Sequence, residues 1–202
     1  MKLIIFTGAP ASGKSSLANE VGKRLDIDVI SKDGYKIELF EKHGFSNHDE
    51  KKKLSVLGEK LMNEELRHHF IQERDIIVDN NYKNFDEIRN FLNVDKKNSK
   101  ACIVICIYCV ADYDILAKRY NERIQSGNRH IALYTLNQYP VIDGISQYHK
   151  AIGREDVYRI EQNVTEKTFG NNVLEINTNK IDEEFEDLCA KVIAYIEGVK
   201  KS

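Results

Sequence analysis

Residues 8 to 15 read Gly8-Ala9-Pro10-Ala11-Ser12-Gly13-Lys14-Ser15, and the types and spacing suit one task, holding a polyphosphate. Glycines at both ends of the loop let the backbone curl so that successive N–H groups point inward at phosphate oxygens. Lys14 reaches the outer phosphates, and the Ser15 hydroxyl is a ligand for Mg²⁺. Ser16 follows at the start of a helix-like stretch running to Leu25, whose positive N-terminal end faces the same anion. The implied ligand is a nucleoside triphosphate with its magnesium ion.

Other residues could act on such a ligand. The apolar run Asp28-Val29-Ile30 ends in Ser31-Lys32-Asp33, and the run Asp75-Ile76-Ile77-Val78 ends in Asp79-Asn80-Asn81. In an open parallel sheet, ligands lie outside the carboxyl ends of the strands, which puts Asp33 and Asp79 on the same edge as Lys14. A carboxylate beside the terminal phosphate can take the proton of an attacking hydroxyl, and Asp33 is the candidate for that task. It could also cap a helix starting at Gly34. Asp79 could hold Mg²⁺ through water, bind a substrate hydroxyl, or close a turn with Asn80 and Asn81. Arg119 and Arg123 are four residues apart and share a helix face, with Leu116, Tyr120 and Ile124 as the core stripe. Together with Arg129, a candidate substrate contact, they could neutralise a transferring phosphoryl group. Alternatively, they form a solvated basic face paired to carboxylates.

These residues need a frame. Short apolar runs alternate with amphipathic segments, the pattern of a parallel sheet covered by helices. Strands are expected near 2–7, 27–31, 75–79, 101–109 and 173–177. Helices are expected near 14–25, 33–43, 49–73, 85–93, 112–126 and 181–198, with Asp112 able to cap the fifth. The segment 127–171 breaks the pattern. It is rich in Gly, Asn, Tyr and charge, suits a lid or substrate platform, and has room for a short helix near 155–163. Tyr134, Tyr139 and Tyr148 within it could stack on a base or sugar, or simply pack the lid.

Bulk properties narrow the classes. The 202 residues fit one domain, 1–202, with 127–171 as its lid segment. A net charge of −2 argues against a protein that chiefly grips long nucleic acid. Cys102 and Cys106 would share one face of a strand and Cys109 the other, so they read as buried thiols in a reducing compartment. There is no signal-peptide pattern and no run long enough to span a membrane, which points to the cytoplasm. His68-His69 lack a third ligand nearby, and Lys51-Lys52-Lys53 and Lys96-Lys97 read as solvated helix ends.

Taken together, the chain resembles the small P-loop kinases that phosphorylate hydroxyl groups, such as polynucleotide kinase, chloramphenicol phosphotransferase and zeta toxin. The likeness rests on Gly8–Ser15, Ile30-Ser31-Lys32-Asp33, Ile76–Asn81 and Lys118–Arg123. It implies a three-layer α/β fold, a P-loop NTPase of kinase type with five parallel strands and the phosphate-loop strand central. It implies ATP and Mg²⁺ as cofactors, bound by Gly8, Ala9, Pro10, Ala11, Ser12, Gly13, Lys14, Ser15 and Ser16. It further implies Asp33 as general base, Asp79 on substrate or metal, and Lys14, Arg119 and Arg123 on the migrating phosphate. Several such kinases place a substrate-gripping arginine three residues after the base. Here that position is Lys36, which offers a point charge without the bidentate fork. The expected activity is transfer of the γ-phosphate of Mg-ATP to a small hydroxyl-bearing acceptor. The alternatives are a 5′-hydroxyl kinase of DNA or RNA and a nucleotide-dependent switch ATPase.

Overall fold

A computed structural model describes residues 1–95, 102–127 and 129–200. Lys96, Lys97 and Ala101 lie outside the described residues. Five strands run parallel in the order β2-β3-β1-β4-β5, with β1 Lys2–Gly8, β2 Val29–Ser31, β3 Ile76–Asp79, β4 Ile103–Val110 and β5 Asn172–Asn177. The helices are α1 Lys14–Leu25, α2 Lys32–His43, α3 His48–Ile71, α4 Asp86–Asp95, α5 Tyr113–Gln125, α6 Arg154–Gln162 and α7 Ile181–Gly198. The expected α/β architecture is therefore present, with the strand that feeds the phosphate loop in the middle.

Strand alternation builds the layers. Ile4 and Phe6 of β1 join Ile77, Ile105 and Ile107 beneath α1 and α7, meeting Leu17, Val21, Leu188 and Val192. Leu3 and Ile5 point the other way, with Ile76 and Val78, into Met62, Leu66 and Phe70 of α3, Phe85 just before α4, and Ile88 and Phe91 of α4. Both faces of the central strands are thus buried, which explains their near-continuous apolar runs. Cys109 lies on the first face and Cys102 on the second, and all four thiols are free.

Local signals set the helix starts. The Ser31 hydroxyl accepts from the Gly34 N–H at 3.1 Å to open α2. Asp33 is therefore a first-turn residue inside α2 and not its cap. The Asn47 side chain accepts from the Glu50 N–H at 2.9 Å to open α3. Helix α3 stops at Ile71, two residues before the expected end, and Glu73 just beyond it has a positive φ of 55°.

The segment expected to be a lid is packed. Ala132 and Leu133, around a 3-10 turn at Ile131–Leu133, bury themselves against Phe40 and Phe45. An isolated antiparallel bridge joins Phe45 to Tyr139, and another joins Thr135 to Tyr148. The Lys51 ammonium donates to the Leu133 and Thr135 carbonyls. Val157 of α6 packs on Leu116 and Ala117 of α5 and on Ala9 of the loop. Among the described residues, no helix is long and apolar enough to cross a membrane.

Leu17 is fully buried where α1 meets the sheet. The substitution Leu17→Ala should lower stability by about 3 kcal/mol, read as a lower urea midpoint at unchanged slope.

Candidate active site

Helix α1 begins with Gly13, has no side-chain cap and carries no acidic residue in its first turn. Its leading N–H groups therefore have no side-chain acceptor, and its dipole has no neighbouring counter-charge. The loop before it is shaped to use this. Ala11 and Gly13 both have positive φ, 66° and 78°, an alternation that turns successive N–H groups toward one concavity. Ala11 is a non-glycine held in the left-handed region, at a cost on the order of 1–2 kcal/mol. Gly8 has φ of 140°, and a Cβ there would lie 2.3 Å from the Cys109 carbonyl oxygen. Only glycine allows β1 and β4 to stay in register up to that point, Gly8 opposite Cys109.

The side chains around the loop divide between two hollows. The first, about 330 Å³, is lined by Lys14 and Ser15 of the loop, Asp33 and Lys36 of α2, Asp79 at the end of β3, and Arg123 and Arg129. Its walls also include Lys32, Asn80, Asn81, Tyr120, Leu133, Tyr134 and His149. Sheet register brings the carboxylates here, because Asp79 sits opposite Ser31 on one side and Phe6 on the other. The second hollow, about 470 Å³, lies on the other side of the loop, among Ser16, Arg119, Arg123, Ile181 and Phe185.

Of the site residues expected from the sequence, the structure brings Lys14, Ser15, Asp33, Lys36, Asp79, Arg123 and Arg129 together in the first hollow, but not Arg119, which lines the second. The Arg119 guanidinium donates to the Asn179 carbonyl at 2.9 Å. Asn179 is itself clasped by Asp112, whose N–H donates to the Asn179 side chain at 2.8 Å and whose carboxylate accepts from its amide at 3.0 Å. Asp112 therefore occupies the cap position of α5 while its carboxylate ties two strand ends together. Arg119 is held toward the β5–α7 turn, and Arg123 faces both hollows.

Tyr120 was legible as part of the helical stripe of α5, yet it lines the first hollow, its hydroxyl 3.0 Å from His149 Nδ1. Of the three tyrosines singled out in the irregular segment, Tyr134 lines the first hollow. The Tyr139 hydroxyl donates to Glu41, and Tyr148 is exposed. Helical spacing could not separate a core tyrosine from a site tyrosine, and 133–149 gave no periodic signal.

The electrostatics are uneven. Burial pulls the Lys14 ammonium below the ordinary lysine value, and Asp79 pushes it back up. One oxygen of Asp79, Oδ1, is buried with no hydrogen-bond partner among the described residues. Asp33 accepts from Lys36 at 2.9 Å through Oδ1 and from Arg129 through Oδ2. Burial, and then the nearby Lys32 ammonium, bring Lys36 down to about 8, against the pull of Glu59. Burial also lowers His149, aided by Lys51, Lys36 and Arg129, which favours a neutral imidazole.

The depressed Lys36 value has a definite sign. As pH rises through about 8, the folded chain releases this proton while the unfolded chain keeps it until near 10.5. The burial penalty fades across that window, so the Lys36 contribution to stability rises with pH. Competitive acetylation followed by mass spectrometry should give Lys36 an apparent pKa near 8. An ordinary lysine midpoint would contradict the burial described here.

The fold is shared with solved structures at identities low enough that the likeness is one of architecture. A protein of Chloroflexus aurantiacus provisionally named a kinase superposes with a TM-score of 0.72 at 20 % identity, over 98 % of each chain. Shikimate kinase from Bacteroides thetaiotaomicron gives 0.54 at 14 % identity, over 96 % of this chain and 98 % of that one. The APS kinase of Mycobacterium tuberculosis, in complex with AMPPNP and APS, gives 0.51 at 14 % identity over 98 % of each chain. No curated protein matches the sequence. The sequence model of the AAA domain family matches residues 3–138, a span that takes in the loop, Asp33, Asp79 and all three arginines, and the chain belongs to that family.

Proposed function

We propose that this chain is an ATP-dependent phosphotransferase of the kinase type, moving the γ-phosphate of Mg-ATP to a hydroxyl of a small-molecule or nucleotide-like acceptor. The observation that carries this reading is the shared cleft, in which the loop lysine, an uncommitted arginine and a carboxylate at the end of β2 converge. The likeness of Ile30–Asp33 and Ile76–Asn81 to the polynucleotide kinase and chloramphenicol phosphotransferase group supports the same assignment. Four free thiols accord with a cytoplasmic protein.

In this reading the nucleobase lies in the second hollow, against Arg119 and between the loop and α7. The triphosphate runs over the α1 N-terminus into the first hollow. The donors present fit a magnesium ion, which takes few protein ligands and keeps phosphate oxygens and water. The Ser15 hydroxyl and the unpartnered Asp79 oxygen would hold it, Asp79 through water, and the ion supplies charge neutralisation on the phosphates. The acceptor hydroxyl gives its proton to Asp33 as its oxygen bonds to the γ-phosphorus, and the bond to the bridging oxygen of ADP breaks. Lys14 and Arg123 stabilise the charge that spreads over the phosphoryl oxygens. The Arg123 side chain makes no hydrogen bond or ion pair among the described residues, so it can follow the phosphate. The segment 127–171 acts as the wall and lid that keep water from the transfer.

Two variants test these assignments. Asp33→Asn should retain Mg-ATP binding while phosphate transfer, followed by mass spectrometry of the acceptor, falls by about 10²–10⁴-fold. Near-normal transfer would remove Asp33 from the reaction. Arg119→Ala should act chiefly on the KM for ATP, raising it about tenfold, whereas Arg123→Ala should act chiefly on kcat. A kcat defect of equal size in both would return Arg119 to the phosphate.

A further inference from the structure

Around Asp33 the first hollow lacks hydrogen bonds rather than charge. Asp33 accepts from Lys36 at 2.9 Å and from Arg129, and Lys32 is matched by Glu59 at 2.6 Å. Two neutral groups of the lining have no such partner. The Tyr134 hydroxyl and the Asn80 side-chain amide nitrogen are buried without a hydrogen bond among the described residues, in residues 4 % and 6 % exposed. The Tyr82 hydroxyl lies beside the Asn80 amide but makes no hydrogen bond of good geometry with it, so the core does not satisfy that group. A buried polar group left unpaired costs more than a formed bond contributes, and each one calls for an explanation.

Both groups flank Asp33. Asn80 follows Asp79, which pairs across the sheet edge with Ser31, two residues before Asp33. Tyr134 comes from the irregular segment, and the centre of its ring lies 5.9 Å from the Arg129 guanidinium that bonds the Asp33 carboxylate. Each is held by its backbone. The Tyr134 N–H donates to the Ile131 carbonyl at 2.9 Å, the His149 N–H donates to the Tyr134 carbonyl at 2.8 Å, and the Asn80 N–H donates to the Phe6 carbonyl at 3.3 Å. A group fixed in this way needs no reordering when a ligand arrives. The wall beside them is neutral as well. Tyr120 and His149 meet at 3.0 Å, and burial, with Lys51, Lys36 and Arg129, keeps the imidazole toward its neutral form. Apolar surface is scarce, since Pro10 and Leu133 are the aliphatic residues of this lining.

Resting on the kinase reading above, we propose that the acceptor is a polyol of about the size of one sugar, and that Asn80 and Tyr134 bind those of its hydroxyls that do not react. An amide and a phenol can each donate and accept, which suits hydroxyls. The hollow of about 330 Å³ is at the small end for ligand sites and is shared with the terminal phosphate. One hydroxyl gives its proton to Asp33 as its oxygen bonds to the γ-phosphorus and ADP leaves. The remaining hydroxyls supply the partners that Asn80 and Tyr134 lack. An alcohol without them fills the hollow and leaves both groups buried and unpaired, which is the basis of discrimination against it.

The test uses the full chain. Calorimetry with a non-hydrolysable Mg-ATP analogue first establishes nucleotide binding. Transfer from labelled Mg-ATP is then followed to ribitol, sorbitol and ribose, and to the five-carbon diol that carries hydroxyls at its two ends alone. At least one of the polyols should exceed the diol about a hundredfold or more in kcat/KM. Tyr134→Phe and Asn80→Ala should each shrink that ratio about tenfold. Tyr134→Phe should also leave the urea midpoint of the free chain unchanged or higher, because it removes a hydroxyl that the fold leaves unpaired. A hydroxyl that served the fold would lower the midpoint instead. Should Asn80→Ala fail to fold, the isosteric Tyr134→Phe alone decides. If the analogue does not bind, the kinase reading falls and this inference with it. If the analogue binds but no polyol surpasses the diol, or the ratio survives the substitutions, or Tyr134→Phe lowers the midpoint, this inference alone is overturned.

Discussion

The rest of this structure is organised around a helix that starts without an acceptor for its own N–H groups. Ser31 caps α2 and Asn47 caps α3, while α5, α6 and α7 lack a side-chain cap bond but carry acidic residues in their first turns. At α1 the cap position is Gly13, and the first turn has no acid. A helix N-terminus left in this state is costly unless an anion sits on it. It is placed at the end of β1, the central strand of five, where elements from both sides of the sheet can reach it. The packing holds it there firmly. Leu17, Ala18 and Val21 are fully buried against the sheet, and a Cβ at Gly22 would lie 2.4 Å from Val29. Little of this helix can move to relieve its unmet end, so an anion seated on it is the relief that suits the geometry.

That constraint explains the character of the side chains nearby. Lys14 is withdrawn from water at the loop, and Asp79 offsets the resulting loss in its basicity. Asp79 in turn has a buried oxygen with no partner among the described residues, which suits water around a small hard cation. Each group is incompletely satisfied alone, and in the function proposed above the deficits complement one another around a triphosphate. Polar clusters of this kind are expensive when half filled, which makes their persistence in a packed fold a sign of use.

The fold was largely legible because its signals are local. Ile4 and Phe6 against Leu3 and Ile5 announce a strand buried on both faces, and Leu54, Leu57, Leu61, Met62, Leu66 and Phe70 announce a long amphipathic helix. The loop was legible for the same reason, since glycine, lysine and serine carry its mechanism in eight consecutive positions. The left-handed Ala11 was not, because nothing in the residue type announces that conformation. One wall of the first hollow was also hidden. Leu133, Tyr134 and His149 reach the cleft only because Phe45 bridges to Tyr139 and Lys51 ties down two carbonyls, contacts between segments more than eighty residues apart. Asp33 was found by its place after a strand, while its two cationic partners depend on tertiary structure for their meaning.

The two arginines of α5 illustrate how far a spacing rule can be trusted. Positions four apart share a helix face, and that much holds for Arg119 and Arg123. Sharing a face does not mean sharing a task. The Asp112–Asn179 clasp turns a carbonyl toward Arg119 and fixes it at the β5–α7 turn, while the Arg123 side chain, one turn further along, makes no hydrogen bond or ion pair among the described residues. A fixed cation is suited to a ligand part that stays still, such as a stacked base, because it costs no reordering when the ligand arrives. An uncommitted cation is suited to the group that changes position during the reaction, because it has no native bond to break as it follows the charge. The difference between them comes from a single asparagine on a neighbouring strand end, far away in sequence.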